Sequence, residues 1–336
     1  MPETEIPMTH KPLCKVWAAS CAPDGGIAQY ELNAEGMLSR RSFLPLDRPM
    51  YFIKEGNTLH TLLRAPEGFD GMSGYVKINV ALDAPTLSLP VSTKGVVACH
   101  LCTVKNRVYA VNYLSGNVVE IGGGEDVHAP ATDHQPGRQD APHTHCVIPT
   151  AEGDALFCTD LGLDAVFVYD LDLNLLSKCQ MPKGHGVRHL TGGKNGFYYA
   201  VNELMSTVSV LRYDAQKYEL TCLSTVSCGV PTEGNLAAAI RLTGDGKFLF
   251  VSQRGADCVS VFAVSEEGSS LSLLHNIPCG GKGPRDMILS PDEKFLLCAN
   301  EGSGDLTVLS LDENQNAVVT DRVPLAGALC VSAQSI

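Results

Sequence analysis

The sequence lacks any long apolar run. No window approaches the roughly 18 to 20 consecutive apolar residues that a membrane-spanning helix needs. The first residues, MPETEIPMTHKP, also lack the pattern of basic and then apolar residues that marks a secretory signal. We therefore expect a cytoplasmic protein that does not span a membrane.

Positive charge is scarce as well. The chain has 25 Lys and Arg against 37 Asp and Glu, which gives a formal net charge of −12 at pH 7. This balance argues against nucleic acid and anionic membranes as partners. It does not exclude a small anionic ligand, because a few local arginines can override the field of the whole chain. We expect a monomer or a weak homo-oligomer.

Patterns that would bind a metal or form a disulfide framework are also missing. The 13 Cys are an odd number and lie mostly within strand-like runs such as LFCTD and FLLCAN. Cys99 and Cys102 form a C-x-x-C motif, but no second pair completes four zinc ligands, so two strand positions are favoured over a redox or zinc pair. His128 and His134 lack metal-ligand spacing too. We predict no metal site.

What the sequence does contain is a repeat of short alternating strands and polar turns. The last residue of one strand in each unit serves as an anchor for alignment. The seven anchors are Ser20, Leu63, Asn112, Asp160, Asn202, Gln253 and Asn300. Over 336 residues, seven units average 48 residues each, which is the length of a four-stranded propeller blade. This predicts an all-β fold, a single seven-bladed β-propeller domain over residues 1–336 with antiparallel blades around a central channel.

Two competing interpretations of the repeat are weaker. Two separate β domains would need a linker, and no Pro/Ser/Gly-rich stretch supplies one. The segment LAAAIRL at 236–242 suggests a helix, but the repeat register makes it an inner strand. We also expect the N-terminal VWAAS strand to pair with the C-terminal ALCVSA segment and close the ring.

Charged residues recur at two equivalent places in the predicted blades. The start of the innermost strand and the end of the second strand should lie on the same face of the ring, near the axis. The residues at these places are His145, Arg188, Glu203, Arg254, Arg285 and Glu301. Together they resemble an anion-binding site with a possible acid/base pair. Taken singly, Arg188 could instead bridge loops with Glu203 as its structural partner.

The stretch from 122 to 142, GGGEDVHAPATDHQPGRQDAP, is longer than an ordinary blade connection and too rich in Gly, Pro and charge for strands. Loops of this length in compact domains are usually functional or disordered. We predict a partial lid over the site that brings in Arg138 as a further substrate ligand. His143, just beyond it, is a candidate for substrate binding, although a hydrogen-bonded spacer is its other interpretation.

Several motifs give these positions a family resemblance. GRQDAPHTHCV, GHGVRHL, YAVNELMSTVSV and GKGPRDMILSPDEKFLLCANEGS resemble the seven-bladed propeller lactonases, which include bacterial 6-phosphogluconolactonase and fungal 3-carboxy-cis,cis-muconate lactonising enzyme. The resemblance is clearest over residues 96–336. It implies a cofactor-independent enzyme whose His, Arg, Glu and second Arg fall on His145, Arg188, Glu203 and Arg254. Gln253 replaces the family's usual Asn, which puts the substrate in question more than the fold.

The resemblance implies a carboxylic ester hydrolase, with 6-phospho-D-glucono-1,5-lactone of the pentose phosphate pathway as the expected substrate. Either Glu203 or His145 would activate water, and Arg188 would stabilise the oxyanion. Arg254, assisted by Arg285 or Lys282, would hold a phosphate or carboxylate. The alternatives are a non-catalytic binding or scaffold propeller and a lactonising cyclo-isomerase that acts on a carboxy-muconate-like acid.

Overall fold

A computed structural model describes residues 12–81, 84–130 and 137–336. In this part of the chain, 29 strands form seven antiparallel sheets of four or five strands. The innermost strands contact one another in sequence around a closed ring. The predicted seven-bladed β-propeller is therefore confirmed. Within the same residues, no helix has the length and apolar character to cross a membrane.

The first three blades have the following strands, in order from the axis outward. Blade 1 consists of β29 (Ala328–Ser335), β1 (Pro12–Ser20), β2 (Gly26–Asn33) and β3 (Leu38–Pro45). Blade 2 consists of β4 (Pro49–Glu55), β5 (Thr58–Leu63), β6 (Gly74–Asn79) and β7 (Thr86–Leu87), with β8 (Val91–Ser92) also paired to β6. Blade 3 consists of β9 (Ala98–Val104), β10 (Arg107–Asn112), β11 (Asn117–Glu120) and β12 (Glu125–Val127).

The remaining four blades run in simple chain order. Blade 4 consists of β13 (Thr144–Pro149), β14 (Ala155–Asp160), β15 (Ala165–Asp170) and β16 (Leu175–Gln180). Blade 5 consists of β17 (Val187–Gly192), β18 (Phe197–Asn202), β19 (Thr207–Asp214) and β20 (Glu219–Ser227). Blade 6 consists of β21 (Leu236–Leu242), β22 (Phe248–Arg254), β23 (Cys258–Val264) and β24 (Leu271–Pro278). Blade 7 consists of β25 (Pro284–Leu289), β26 (Phe295–Asn300), β27 (Asp305–Leu311) and β28 (Ala317–Pro324).

The ring closes as the sequence predicts. Strands β1 and β29 pair antiparallel from Cys14 opposite Ser335 to Ser20 opposite Ala328. The segment at 236–242 is the inner strand β21 and not a helix. Cys99 and Cys102 are positions on strand β9, and all thirteen cysteines are free thiols.

The seven anchors also fall where the repeat places them, at the end of the second strand of each blade or one residue before it, and all are buried. Asn202 shows why a polar residue suits this position. Its amide donates hydrogen bonds to the hydroxyls of Thr207 and Ser209, each at 2.9 Å, and so ties the hairpin to the third strand. Both faces of each blade are covered by neighbours. In one example Phe157 of blade 4 packs edge-on against Tyr198 and Tyr213 of blade 5, with centroids 4.8 and 4.9 Å apart.

The prediction that residues 122–142 are unsuited to strands is wrong at 125–127. These residues form β12, which pairs with Asn117–Val119 at the outer edge of blade 3. Charged side chains are acceptable there because one side of an edge strand faces solvent. His128, just after β12, is buried, with Nδ1 2.6 Å from the Asp160 carboxylate and Nε2 2.9 Å from the Tyr169 hydroxyl. Residues 131–136, with His134, lie outside the described part of the chain.

Candidate active site

A register shift interrupts the pairing of every inner strand near its beginning. Such β-bulges leave one residue out of the ladder and redirect its side chain. In blades 1 to 7 the residues at this point are Leu329, Met50, Cys99, His145, Arg188, Ala238 and Arg285. We call this set the bulge ring.

A second ring is formed by the residue that follows each anchor, in the loop or strand end that leads to the third strand. Its members in blades 1 to 7 are Cys21, Arg64, Tyr113, Leu161, Glu203, Arg254 and Glu301. All except Leu161 line one cavity, together with five members of the bulge ring. The propeller repeat therefore gathers fourteen sequence-distant positions at one end of the channel.

The cavity has a volume of about 490 Å³. Of the predicted site residues, it is lined by Arg138, His145, Glu203, Arg254, Arg285 and Glu301. Arg188 lies deeper, beside a void of about 20 Å³ that His145 and Arg285 also border. His143 and Lys282 do not line the cavity. The sequence thus identified most of the polar wall.

Glu203 is the hub of the charged wall. Its Oε2 lies 2.9 Å from Nε of Arg188 and 2.8 Å from Nη2 of Arg254, and its Oε1 accepts a 2.5 Å hydrogen bond from Nη2 of Arg138. Glu203 is only 2% exposed. Burial by itself would raise the pKa of this carboxyl, but Arg254, Arg188 and Arg138 outweigh burial and lower it. Glu203 is therefore an ionised carboxylate with both oxygens engaged.

Arg188 is a buried cation held between Glu203 and the backbone of blade 6. Burial, reinforced by Arg254 and opposed by Glu203, lowers the pKa of Arg188 to about 9. Its Nη1 donates to the carbonyl of Ala238 at 2.8 Å. The buried Nε–H groups of Arg188 and Arg254 have no aligned acceptor among the described residues. The Arg188 Nε lies 2.9 Å from Glu203 Oε2, so the ion pair already occupies it. The Nε–H of Arg254 is the buried donor that a ligand oxygen would satisfy.

His145 is a buried imidazole that borders both the cavity and the deeper void. Burial, Arg188 and Arg285 hold the pKa of His145 well below its usual value, so the ring is neutral at pH 7. Its Nδ1 lies 3.9 Å from the Cys99 sulfur, and its ring meets those of Tyr113 and His189 edge-on. A neutral imidazole of this kind is able to accept a proton.

Three further predicted residues are placed as follows. Arg138, from the segment that precedes blade 4, reaches Glu203 as described and lies 3.3 Å from the Tyr113 hydroxyl. Nη1 of Arg285 donates to Oε2 of Glu301 at 3.1 Å. Both members of this pair are partly exposed at the cavity wall.

His143 supports the wall and does not line it. Its ring stacks on Tyr113 with centroids 4.3 Å apart, and its Nδ1 lies 2.9 Å from the carbonyl oxygen of Tyr113. Its backbone N–H donates to Asp160 at 2.8 Å. These contacts agree with the interpretation of His143 as a hydrogen-bonded spacer. Substrate binding by His143 stays a prediction.

Sequence reasoning missed nine of the fifteen cavity residues, and three of these are Cys21, Arg64 and Tyr113. Each directly follows an anchor, as Glu203 and Arg254 do. The repeat register is therefore a sufficient signal for all three, although their residue types do not stand out as the charged residues of the later blades do.

Comparison with known proteins identifies the family. Residues 15–332 match the family described as Lactonase, 7-bladed beta-propeller. This chain is a member of that lactonase family. The predicted resemblance is confirmed, and so is the enzyme class, a lactonase and thus a hydrolase. The lactonase is 28% identical over 311 residues to 6-phosphogluconolactonase of Bacillus subtilis, covering 86% of this chain and 88% of that protein.

Solved structures agree with the fold of this lactonase. A protein from Lactobacillus plantarum has 26% sequence identity and a TM-score of 0.85, with 97% of this chain and 100% of that chain covered. The periplasmic gluconolactonase PpgL of Pseudomonas aeruginosa has 23% identity and a TM-score of 0.85, with 96% and 99% covered. At that identity, the second likeness concerns the fold alone.

Proposed function

We propose that this lactonase hydrolyses 6-phospho-D-glucono-1,5-lactone to 6-phosphogluconate. The observation that carries the proposal is the excess of arginine at the cavity. Arg64, Arg138, Arg254 and Arg285 line it and Arg188 lies just beneath, whereas its carboxylates are those of Glu203 and Glu301. This local positive charge occurs in a chain with a net charge of −12. A phosphorylated substrate supplies the missing negative charge.

His145 is the general base of this proposal. Of the two candidates, Glu203 has both oxygens engaged by arginines, which leaves neither oxygen free to take a proton from water. His145 is neutral and faces the cavity. Its depressed pKa reflects burial and the cations Arg188 and Arg285, and an anionic substrate beside these cations would offset their effect. Substrate binding would therefore make the imidazole more basic.

The reaction then proceeds in two steps. His145 takes a proton from water as the water oxygen bonds to the lactone carbonyl carbon, and the carbonyl oxygen becomes an oxyanion. Arg188, whose Nε is held by Glu203, stabilises that oxyanion through its buried positive charge. As the carbonyl re-forms, the bond to the ring oxygen breaks, and the protonated His145 returns the proton to this leaving oxygen. Glu203 holds Arg188 and Arg254 in position throughout.

The proposal extends to location and assembly. A phosphorylated lactone is too highly charged to cross a bilayer freely, so we place the enzyme in the cytoplasm with its substrate. The cavity is built from residues of one chain, so a monomer or a weak homo-oligomer would be active.

The test is an assay with freshly prepared 6-phosphogluconolactone, corrected for spontaneous hydrolysis, beside unphosphorylated glucono-1,5-lactone. The expected result is enzymatic hydrolysis of both, with a higher kcat/KM for the phosphorylated lactone. If the protein does not accelerate hydrolysis of the phosphorylated lactone, the proposed substrate is wrong. A preference for the unphosphorylated lactone would contradict the assignment of the cationic wall to phosphate.

A further inference from the structure

Arg64 occupies the same position in blade 2 that Glu203 occupies in blade 5. It directly follows the anchor Leu63 and lines the cavity. Its backbone is fixed on both sides, since its N–H donates to the Arg48 carbonyl at 3.1 Å and its carbonyl accepts from the Ser73 hydroxyl at 2.7 Å. The backbone therefore presents this side chain at the cavity even though the side chain itself is exposed.

Arg64 differs from the other cavity arginines in its ionic partners. Arg138 and Arg254 pair with Glu203, and Arg285 pairs with Glu301. Within the described residues no carboxylate oxygen lies within 4.0 Å of the Arg64 guanidinium nitrogens. Its charge is thus the least neutralised in the cavity. A guanidinium without a carboxylate partner keeps forked donors available for an anionic ligand.

The surroundings of Arg64 explain why this charge stands apart. Neighbouring bulge-ring residues on its side of the channel are Met50 and Leu329, and its guanidinium contacts the thiol of Cys21. Burial raises the pKa of Cys21 and Arg64 opposes that rise, so the thiol stays neutral and leaves the cation uncompensated. In a seven-membered ring, blade 2 lies across the axis from blades 5 and 6. Arg64 therefore faces the wall that holds Glu203 and Arg254.

We propose that Arg64 binds the phosphate of the substrate and sets the preference for a phosphorylated lactone. This inference rests on the proposed function and refines it. The lactone ring lies against the wall with His145 and Arg188, and the phosphate at the far end of the sugar chain extends across the cavity to blade 2. Arg64 is a specificity residue in this arrangement and takes no part in the bond-breaking step.

The test compares wild type with Arg64→Gln in two assays. Calorimetry measures binding of the stable products 6-phosphogluconate and gluconate. Loss of one charge-assisted interaction should weaken 6-phosphogluconate binding by roughly 10- to 100-fold and leave gluconate binding within about twofold. Kinetics should show the same split, with a higher KM for the phosphorylated lactone, little change in kcat, and no change for glucono-1,5-lactone.

Arg41→Gln is the matched control, because Arg41 lies on outer strand β3 and pairs with Glu31 at the surface. It should leave both affinities unchanged. If Arg64→Gln keeps the wild-type preference for 6-phosphogluconate, or if wild type shows no such preference, the inference about Arg64 is wrong. If the variant loses the preference but wild type fails to hydrolyse the phosphorylated lactone, the phosphate site stands and the proposed function falls.

Discussion

Replacing Glu203 by Gln removes the negative charge that three arginines share. The substitution keeps the size of the side chain, so its main effect is electrostatic. Arg188, Arg254 and Arg138 would then face one another around a neutral amide, and Arg188 is only 3% exposed. Like charges without a counter-ion in a poorly solvated site destabilise the fold.

The size of this effect follows from the burial of the partners. Removing one member of a buried ion pair costs about 3 to 5 kcal/mol. We expect about 3 kcal/mol for Glu203→Gln, at the low end, because the side chain of Arg138 is 47% exposed and water screens it. A chain of 336 residues has an unfolding entropy of about 0.7 kcal/mol per kelvin, so Tm should fall by about 4 °C.

Thermal unfolding followed by circular dichroism measures this shift. Glu301→Gln is the matched control, because Glu301 holds the same register position in blade 7 but is partly exposed and pairs with Arg285 alone. Surface pairs contribute about 0 to 1 kcal/mol, so the control should lower Tm by at most about 1 °C. A Tm for Glu203→Gln equal to or above that of the control would refute the view of Glu203 as the counter-ion of the site.

Two other perturbations address the surroundings of the cavity. Burial first, and nearby arginines second, hold the pKa values of His145 and His189 well below normal and that of His100 at about 3. These rings stay neutral in the folded protein, but each gains a proton in the unfolded chain below about pH 6.5. As the pH falls below that value, the free energy of unfolding should therefore decrease by up to about 1.4 kcal/mol per pH unit for each ring. A Tm that does not change between pH 7 and pH 5 would contradict this expectation. Asp160→Asn replaces the charged acceptor of the His128 ring and of the His143 backbone N–H by a neutral amide, and it should lower Tm by about 2 °C. It should also raise KM, because the backbone at His143, shortly after Arg138, is anchored to Asp160; an unchanged KM would show that this anchoring does not matter for binding.

Much of the fold could be predicted because every blade has to bury both of its faces against its neighbours. A blade that buries both faces needs strands of one length and a hairpin that ends in the same way, so the anchors from Asn112 to Asn300 repeat visibly. Closure of the ring could be predicted as well, because the N-terminal part of the chain gives blade 1 only three strands, and pairing of β29 with β1 supplies the fourth. The location of His145, Arg188 and Glu203 on one face was a direct consequence of that register.

Other parts of the site were hidden because the sequence does not mark them. The bulge ring contains residues as different as Ala238 and Arg285. No shared residue type therefore marks the bulge positions in the sequence. Arg64 follows Leu63, an apolar anchor that lacks the amide seen at Asn202, so the repeat is weakly marked in this blade. The ionic partners of each arginine depend on side-chain distances that only the assembled ring defines.

The most direct test of the account is the rate at which a His145→Gln variant hydrolyses fresh 6-phosphogluconolactone, compared with wild type and corrected for spontaneous hydrolysis. If His145 is the base, the variant should lose about 10²- to 10⁴-fold in kcat while binding 6-phosphogluconate with nearly wild-type affinity. A kcat within threefold of wild type would contradict the role of His145 and the catalytic site built around it.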